Sequence, residues 1–298
     1  MTLSEYLASL NNPKLMQTLA AIADSVRDIA ANIHAAETGK SGTRNSFGEE
    51  QMELDVLADG IIFKKLAMPG TVAMASSEER AEGVPLGGTG YSVAFDPLDG
   101  SSLIDVNLAI GTIFGIWNGD TLLGKTGHDL AAAGYAVYGP RTSLVLAAEG
   151  SVHEFTYHPA YGSWRRVREN LQIAEGKMFA PGNLRASADH SKYRELIDYW
   201  INERYTLRYS GGMVPDINQI ILKGKGIFTY PGSPAAPAKL RLLYECSPLA
   251  YIVEAAGGAS SDGTQSILGK TITAYDERTP VALGSKAEVK RFEEHCGK

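Results

Sequence analysis

The chain has 298 residues, 44% of them apolar, and a formal net charge of −6, which suits about two domains or one large one with a full core. The acidic balance argues against nucleic acid as the main partner. Two distant cysteines, Cys246 and Cys296, argue against a disulfide framework or a zinc–thiolate site and for a reducing compartment, and no apolar run reaches the roughly 18 residues of a membrane span.

Leu15, Leu19, Ile22, Val26, Ile29 and Ile33 recur at spacings of four and three, predicting an amphipathic helix over 12–38 with one core-facing stripe. A loop rich in Gly, Ser and Thr follows, from Thr38 to Ser46. A second helix is expected over 49–67, with Leu54, Leu57 and Ile61 on one face. Glu49 and Glu50 fall in its first turn, where acids favour the macrodipole. Asp55 stands beside the apolar face, an unusual place for a carboxylate.

Thr71 to Ala75 reads as a short strand followed by Ser77, Glu78 and Glu79. Tyr91 to Phe95 reads as another, running into Asp96, Asp99, Gly100, Ser101, Ser102 and Asp105, and Ile110 to Trp117 as a third. Two neighbouring strands that deliver acids at their ends would gather carboxylates at one place. Such groups repel and lose hydration unless a cation compensates them, and carboxylate and carbonyl oxygens suit Mg²⁺. Gly100 permits a tight turn whose hydroxyls and N–H groups could hold a phosphate. Solvated acidic turns are the alternative at both places.

The turn Asn118-Gly119-Asp120 closes this stretch, and residues 129–167 read as antiparallel strands forming a second layer. Asn183 and Arg185 lie in a turn, open to a ligand or to turn formation alone. Arg208 and Tyr209 end a short strand, and Gly211 and Gly212 open a helix: an anion site or close packing. Tyr230 ends a strand begun at Gly226. Lys239 to Tyr244 alternates as an edge strand would, with Lys239 and Arg241 on one face and Glu245 at its end. Ser247 and Pro248 start a helix that Gly257 stops. Ser285 with Glu288 three residues on predicts a capping box for the last helix.

The residues thus assembled are Glu78, Glu79, Asp96, Asp99 and Glu245, with Arg208, Tyr209, Lys239 and Arg241 around them. This set suits metal-assisted phosphate chemistry. No P-loop, HExxH or GxSxG sequence is present, so nucleotide-dependent transfer, zinc proteolysis and serine hydrolysis lack support.

Asp96-Pro-Leu-Asp99-Gly-Ser101 resembles the signature of the lithium-sensitive, metal-dependent sugar and inositol phosphatases. Ser102-Leu-Ile-Asp105-Val-Asn107, Gly111-Thr-Ile-Phe114 and Lys239-Leu-Arg-Leu-Leu-Tyr-Glu245 resemble the class I fructose-1,6-bisphosphatase family. Gly211-Gly-Met-Val-Pro-Asp-Ile-Asn-Gln219, Lys223-Gly-Lys-Gly-Ile-Phe228, Pro181-Gly-Asn-Leu-Arg185 and Ser261-Asp-Gly263 resemble its sedoheptulose-1,7-bisphosphatase branch. The resemblance spans residues 12–295.

It implies a layered α+β and α/β fold of mixed sheets packed with helices. An N-terminal α+β region over 1–170 would carry the DPLDGS motif, and a C-terminal α/β region over 171–298 the sugar and distal-phosphate site. It implies hydrolysis of the 1-phosphate of sedoheptulose 1,7-bisphosphate with Mg²⁺ or Mn²⁺, more than one ion per site. Fructose 1,6-bisphosphate hydrolysis or dual specificity is the alternative, and a non-catalytic metal- or sugar-phosphate-binding protein the alternative of another class. It further implies a homodimer or homotetramer without nucleic-acid or membrane partners, in the cytoplasm or, with a transit peptide removed, the plastid stroma.

By the same resemblance Glu78, Glu79, Asp96, Asp99 and Glu245 hold metal with the carbonyl of Leu98. Asp55 orients or deprotonates the attacking water, helped by Glu49 and Glu79. Gly100, Ser101 and Ser102 hold the reacting phosphate. Asn183, Arg185, Arg208, Tyr209, Tyr230 and Lys239 surround the distal phosphate, with Arg208 from a neighbouring subunit, and Met213 and Arg241 lie near the sugar. Gly212 stands where fructose-specific relatives carry Ser, Ala186 where they carry Tyr, and Leu103 where Asn is common; the first two changes are expected to open room for a longer sugar. Gly90 stands where the nucleotide-inhibited enzymes carry Lys, and the two cysteines do not match the plastid regulatory pair, so the resemblance does not extend to either form of control.

Overall fold

The computed structural model describes residues 1–33, 40–44 and 50–297. Its main sheet has eight strands in the spatial order Ser163–Arg168, Ser151–His158, Thr142–Ala148, Leu130–Tyr138, Ile110–Asn118, Tyr91–Asp99, Val72–Ser77 and Val84–Pro85. All neighbours are antiparallel except Val72–Ser77 and Tyr91–Asp99, which run parallel. A second sheet orders Thr206–Leu207, Ala174–Pro181, Lys225–Tyr230, Val281–Gly284 and Ala259–Ser261.

Helices Pro13–Ile33 and Glu53–Ala67 cover one face of the main sheet. Met213–Lys223 and Ser247–Ala255 fill the space between the sheets. Ser191–Asn202 and Lys286–Cys296 cover the outer face of the second. The layers run helix, sheet, helix, sheet, helix, which is the mixed layered fold expected. A sheet covered on both faces accepts continuous apolar runs: all nine residues of Tyr91–Asp99 are buried. Among the described residues no helix is long and apolar enough to cross a membrane.

Several local expectations are corrected. The strands of 130–168 extend the same sheet as the acidic strands and form no second layer. Asn118–Asp120 begins a longer connection through a short turn at Gly127–Asp129, not a tight hairpin. The first long helix is described as Pro13–Ile33, and residues 34–39 lie outside the described residues. The second begins at Glu53, because Glu50–Met52 pairs with Lys40–Arg44 as a two-stranded ribbon. Its buried face holds Leu54, Ala58, Ile62, Phe63 and Leu66, together with Asp55 and Asp59, while Leu57 is exposed.

Lys239–Tyr244 is not a strand. Arg241 makes one isolated bridge to Arg278, and Leu242–Cys246 winds as a π-turn into the next helix. All five of its residues are buried, so there is no solvent side for a strand's alternation to mark. The capping box at Ser285 does not form. Its hydroxyl instead donates to the Ala174 carbonyl (2.6 Å) and accepts from the Gly226 N–H (2.9 Å). Glu288 takes the Trp200 indole N–H (2.8 Å) and the Tyr205 hydroxyl (2.7 Å), which fastens the last helix to the helix Ser191–Asn202 and the turn after it.

Candidate active site

Because Val72–Ser77 and Tyr91–Asp99 are parallel, with Ser77 opposite Phe95, their C-terminal ends coincide. Glu78 continues the pairing, its N–H donating to the Phe95 carbonyl (3.1 Å), and Arg80 N–H closes a turn onto Ser77 (3.0 Å). At Asp96 the other strand bulges: Asp96 opposes Ile113 and Asp99 opposes Gly111, so two residues face one. Pro97 has no N–H for the ladder. Its carbonyl accepts from the Thr112 hydroxyl (2.7 Å), itself bonded to the Tyr138 hydroxyl (2.8 Å). The bulge turns the Asp96–Asp99 peptides out of the ladder, and Leu98 N–H donates to Asp96 Oδ1 (2.9 Å).

Asp99 caps the helix Met213–Lys223. It accepts from the Val214 N–H (2.6 Å) and the Met213 N–H (3.3 Å). The N-terminus of the glycine-opened helix, left open by the sequence between an anion site and close packing, holds the protein's own carboxylate. Close approach makes this possible, since a Cβ on Gly111 would lie 2.4 Å from Val214 Cγ1.

Glu245 reaches the cluster from the π-turn. Tyr244 ties that turn to the first acidic strand through Ser76 (2.8 Å), and Arg241 N–H donates to Glu245 Oε2 (2.6 Å). The Arg241 guanidinium is buried and ion-paired with Glu78. The π-turn that replaces the expected edge strand carries Arg241 to the acid cluster.

These elements enclose a cavity of about 220 Å³ lined by Asp55, Glu78, Glu79, Asp96, Leu98, Asp99, Gly100, Ser101, Ser102 and Glu245. Gly100, at φ 77°, makes the turn into the short helix Ser101–Val106. Burial, then Asp99, Glu245, Glu79 and Asp55 in that order, push the Asp96 carboxyl well above the usual carboxylate range. Burial also raises Asp99, against the pull of its two backbone donors. Asp96, Asp99 and Glu245 each offer an oxygen within 4.8 Å of the others. Buried, hard, mutually repelling donors fit a divalent cation such as Mg²⁺.

A second cavity of about 160 Å³ shares Asp99 and Gly100 with the first, and Tyr209, Gly211, Gly212, Met213, Asp216, Tyr230 and Leu240 help to line it. Arg185, Arg208 and Lys239 are exposed and line neither cavity. Arg185 acts electrostatically on Tyr209 and Tyr230, whereas Arg208 Nη1 donates to the Leu207 carbonyl (3.1 Å). Asn183 is buried, and its amide nitrogen donates to the Pro231 (2.7 Å) and Ala236 (2.9 Å) carbonyls; it clamps the 231–236 loop and leaves no amide hydrogen for a phosphate. Ala186 is fully buried among Phe179, Tyr193 and Trp200 and lines neither of these two cavities. Glu49 lies outside the described residues.

Sequence reasoning missed Asp216. It is buried in the wall of the second cavity, accepts from Ser210 N–H (2.8 Å), and burial pushes its carboxyl up to about 6. The available signal was an acid in the first turn of a helix opened by two glycines.

A buried carboxylate cluster able to hold a divalent cation, beside a second cavity that shares Asp99 and Gly100 with it, in a layered fold of mixed sheets and helices, is the arrangement of a sugar-phosphate phosphatase. The chain belongs to the class I fructose-1,6-bisphosphatase family: residues 4–169 match the family's N-terminal domain and residues 173–297 its C-terminal domain. It is 50% identical to the chloroplastic sedoheptulose-1,7-bisphosphatase of Triticum aestivum, over 98% of this chain and 76% of that protein. It is 45% identical to the class 1 fructose-1,6-bisphosphatase of Geobacter metallireducens, over 92% and 88%. The fold superposes on the holo form of Leishmania major fructose-1,6-bisphosphatase with a TM-score of 0.94 at 33% identity, covering 100% of this chain and 99% of that one. The chain is accordingly a sugar-bisphosphatase, a hydrolase with a carboxylate cluster able to hold a divalent metal.

Proposed function

We propose that this enzyme hydrolyses the 1-phosphate of sedoheptulose 1,7-bisphosphate, releasing sedoheptulose 7-phosphate and inorganic phosphate. The observation that carries the choice of sugar is Gly212. It lines the Tyr209–Tyr230 cavity at the position where the fructose-specific relatives of the resemblance carry Ser, and a Cβ there would already press on Leu103 Cδ1 and Pro215 Cδ at 3.2 Å. A serine would have to displace those neighbours or extend its hydroxyl into the cavity, and glycine leaves that space to the substrate. The wheat relative's higher identity points the same way.

Asp96, Asp99, Glu245, Glu78 and Glu79, with the Leu98 carbonyl, would hold Mg²⁺. The bound metal neutralises charge on the reacting phosphate and acidifies water. The hydroxyls of Ser101 and Ser102 and the turn after Gly100 orient the phosphate oxygens. Asp55, buried at the cavity wall, takes the proton of the attacking water as its oxygen bonds to phosphorus and the bond to the sugar oxygen breaks, the leaving alkoxide taking a proton from solvent water to become the product hydroxyl. Tyr209 and Tyr230 flank the far end of the sugar, where Lys239 and Arg185 meet the distal phosphate. The exposed Arg208 supports assembly as a homodimer or homotetramer, in which it serves the neighbouring subunit.

Measuring kcat/KM for sedoheptulose 1,7-bisphosphate and fructose 1,6-bisphosphate under one set of conditions tests this reading. A higher value for the seven-carbon sugar is expected, and a clear preference for fructose 1,6-bisphosphate would overturn it.

A further inference from the structure

One step behind the acid cluster stands a pair that the chemistry above does not use. Asp59 follows Asp55 by four residues on the buried face of the same helix. Arg80 follows Glu79 and closes the turn that carries Glu78 and Glu79. Arg80 Nε (3.0 Å) and Nη2 (2.6 Å) both donate to Asp59 Oδ2. The guanidinium also lies over the ring of Phe63, 3.9 Å from its centre, one turn further along that helix. The Asp59 side chain is 9% exposed and that of Arg80 41%. Glu78 already pairs with Arg241.

We propose that Asp59 sequesters Arg80, holding a second permanent cation off the turn that carries Glu78 and Glu79, where Glu78 already pairs with Arg241, so that the turn's carboxylates are not further neutralised against the metal. The inference rests on the metal reading given above. An arginine is charged at every working pH and binds carboxylates through charge-assisted hydrogen bonds. Arg80 closes the turn that carries Glu78 and Glu79, so a guanidinium released from Asp59 would be free to compete with a divalent cation for the carboxylate oxygens of that turn. Asp59 and the Phe63 ring bind that guanidinium to the helix face and decide the competition for the metal. Asp59 is a positioning residue: it acts through Arg80 and touches no reacting atom.

Mg²⁺ binding to the full chain, followed by isothermal titration calorimetry, reads this directly and without turnover. Asp59→Ala is expected to weaken Mg²⁺ binding about five- to tenfold, because the released guanidinium becomes a competitor. Adding Arg80→Ala to that variant removes the competitor and is expected to restore most of the affinity. Melting of the metal-free variants verifies folding; should Asp59→Ala not fold, Asp59→Asn, which keeps one acceptor, is expected to shift the affinity the same way by less. An unchanged affinity in Asp59→Ala, or a double variant no better than Asp59→Ala alone, would overturn the proposal, the latter showing a brace for the turn only. Wild-type protein that binds no Mg²⁺ would overturn the metal reading itself, and the proposal with it.

Discussion

On the acid side of the site the backbone fixes the carboxylates one by one. A bulge presents Asp96, a helix N-terminus grips Asp99, and a π-turn tied through Tyr244 delivers Glu245. On the cation side Arg185, Arg208 and Lys239 are exposed and line neither of the two cavities of the site. The difference follows from what each side must bind. Gathering like charges costs energy in the empty protein, so they stay together only where many backbone contacts hold them. Long cationic side chains remain in water at little cost and can close on a phosphate when it arrives.

The comparison is tested most severely at Asp99. Asp99→Asn is expected to lower kcat/KM by at least about a hundredfold, since a ligand-bearing carboxylate is lost. It should also lower the melting temperature of the metal-free protein. Relief of repulsion favours the variant, but one of the two oxygens that cap the Met213–Lys223 helix becomes an amide nitrogen. A metal-free variant that melts above wild type would show that repulsion outweighs the cap.

Across the site, Lys239→Ala should spare the acid side. Hydrolysis of a bisphosphate is expected to fall roughly ten- to a hundredfold, the worth of one charge-assisted contact. A sugar bearing only the 1-phosphate should be hydrolysed nearly as by wild type. Equal losses for both substrates would move Lys239 to the reacting phosphate.

Between the two sides, Gly212→Ser is expected to reduce the preference for the seven-carbon over the six-carbon bisphosphate by roughly three- to tenfold. Ala186→Tyr is the contrasting variant. At a buried position in the core around Trp200, it should lower the melting temperature, as overpacking costs about 1–3 kcal/mol, and leave the ratio of the two sugars alone. A changed ratio in Ala186→Tyr with unchanged melting would restore that residue to the sugar site.

The smallest effect is one of pH on the metal-free protein. The folded Asp96 carboxyl is raised well above its ordinary value by burial and by its acidic neighbours. Folded chain then keeps a proton that unfolded chain has lost, so stability is expected to fall as pH rises from about 4, the unfolded value. Asp96→Asn should flatten that decline, and an unaltered slope of melting temperature against pH would place the charge repulsion elsewhere.

The acid side was legible in the sequence because strand-end carboxylates between apolar runs contradict ordinary burial. Glu78, Glu79, Asp96, Asp99 and Glu245 all reach one cavity. The edge strand at Lys239–Tyr244 was misread because Lys-Leu-Arg-Leu alternates like a strand, while only tertiary burial reveals that Leu242–Cys246 is enclosed on all sides. Asn183 and the room at Ala186 entered by resemblance alone, and only the folded chain shows their neighbours distant in sequence, the 231–236 loop and the Trp200 core. Asp216 was invisible for a similar reason, because an acid in a helix's first turn ordinarily faces solvent.

The central claim, that the buried acids form the metal centre of a sugar bisphosphatase, is tested most directly by titrating Mg²⁺ against phosphate release from sedoheptulose 1,7-bisphosphate in wild type and Asp96→Asn. Wild-type release is expected to require Mg²⁺ and to vanish with a chelator, and the variant to lose at least about a hundredfold at limiting Mg²⁺. Release that survives chelation, or an Asp96→Asn enzyme that matches wild type at limiting Mg²⁺, would contradict it.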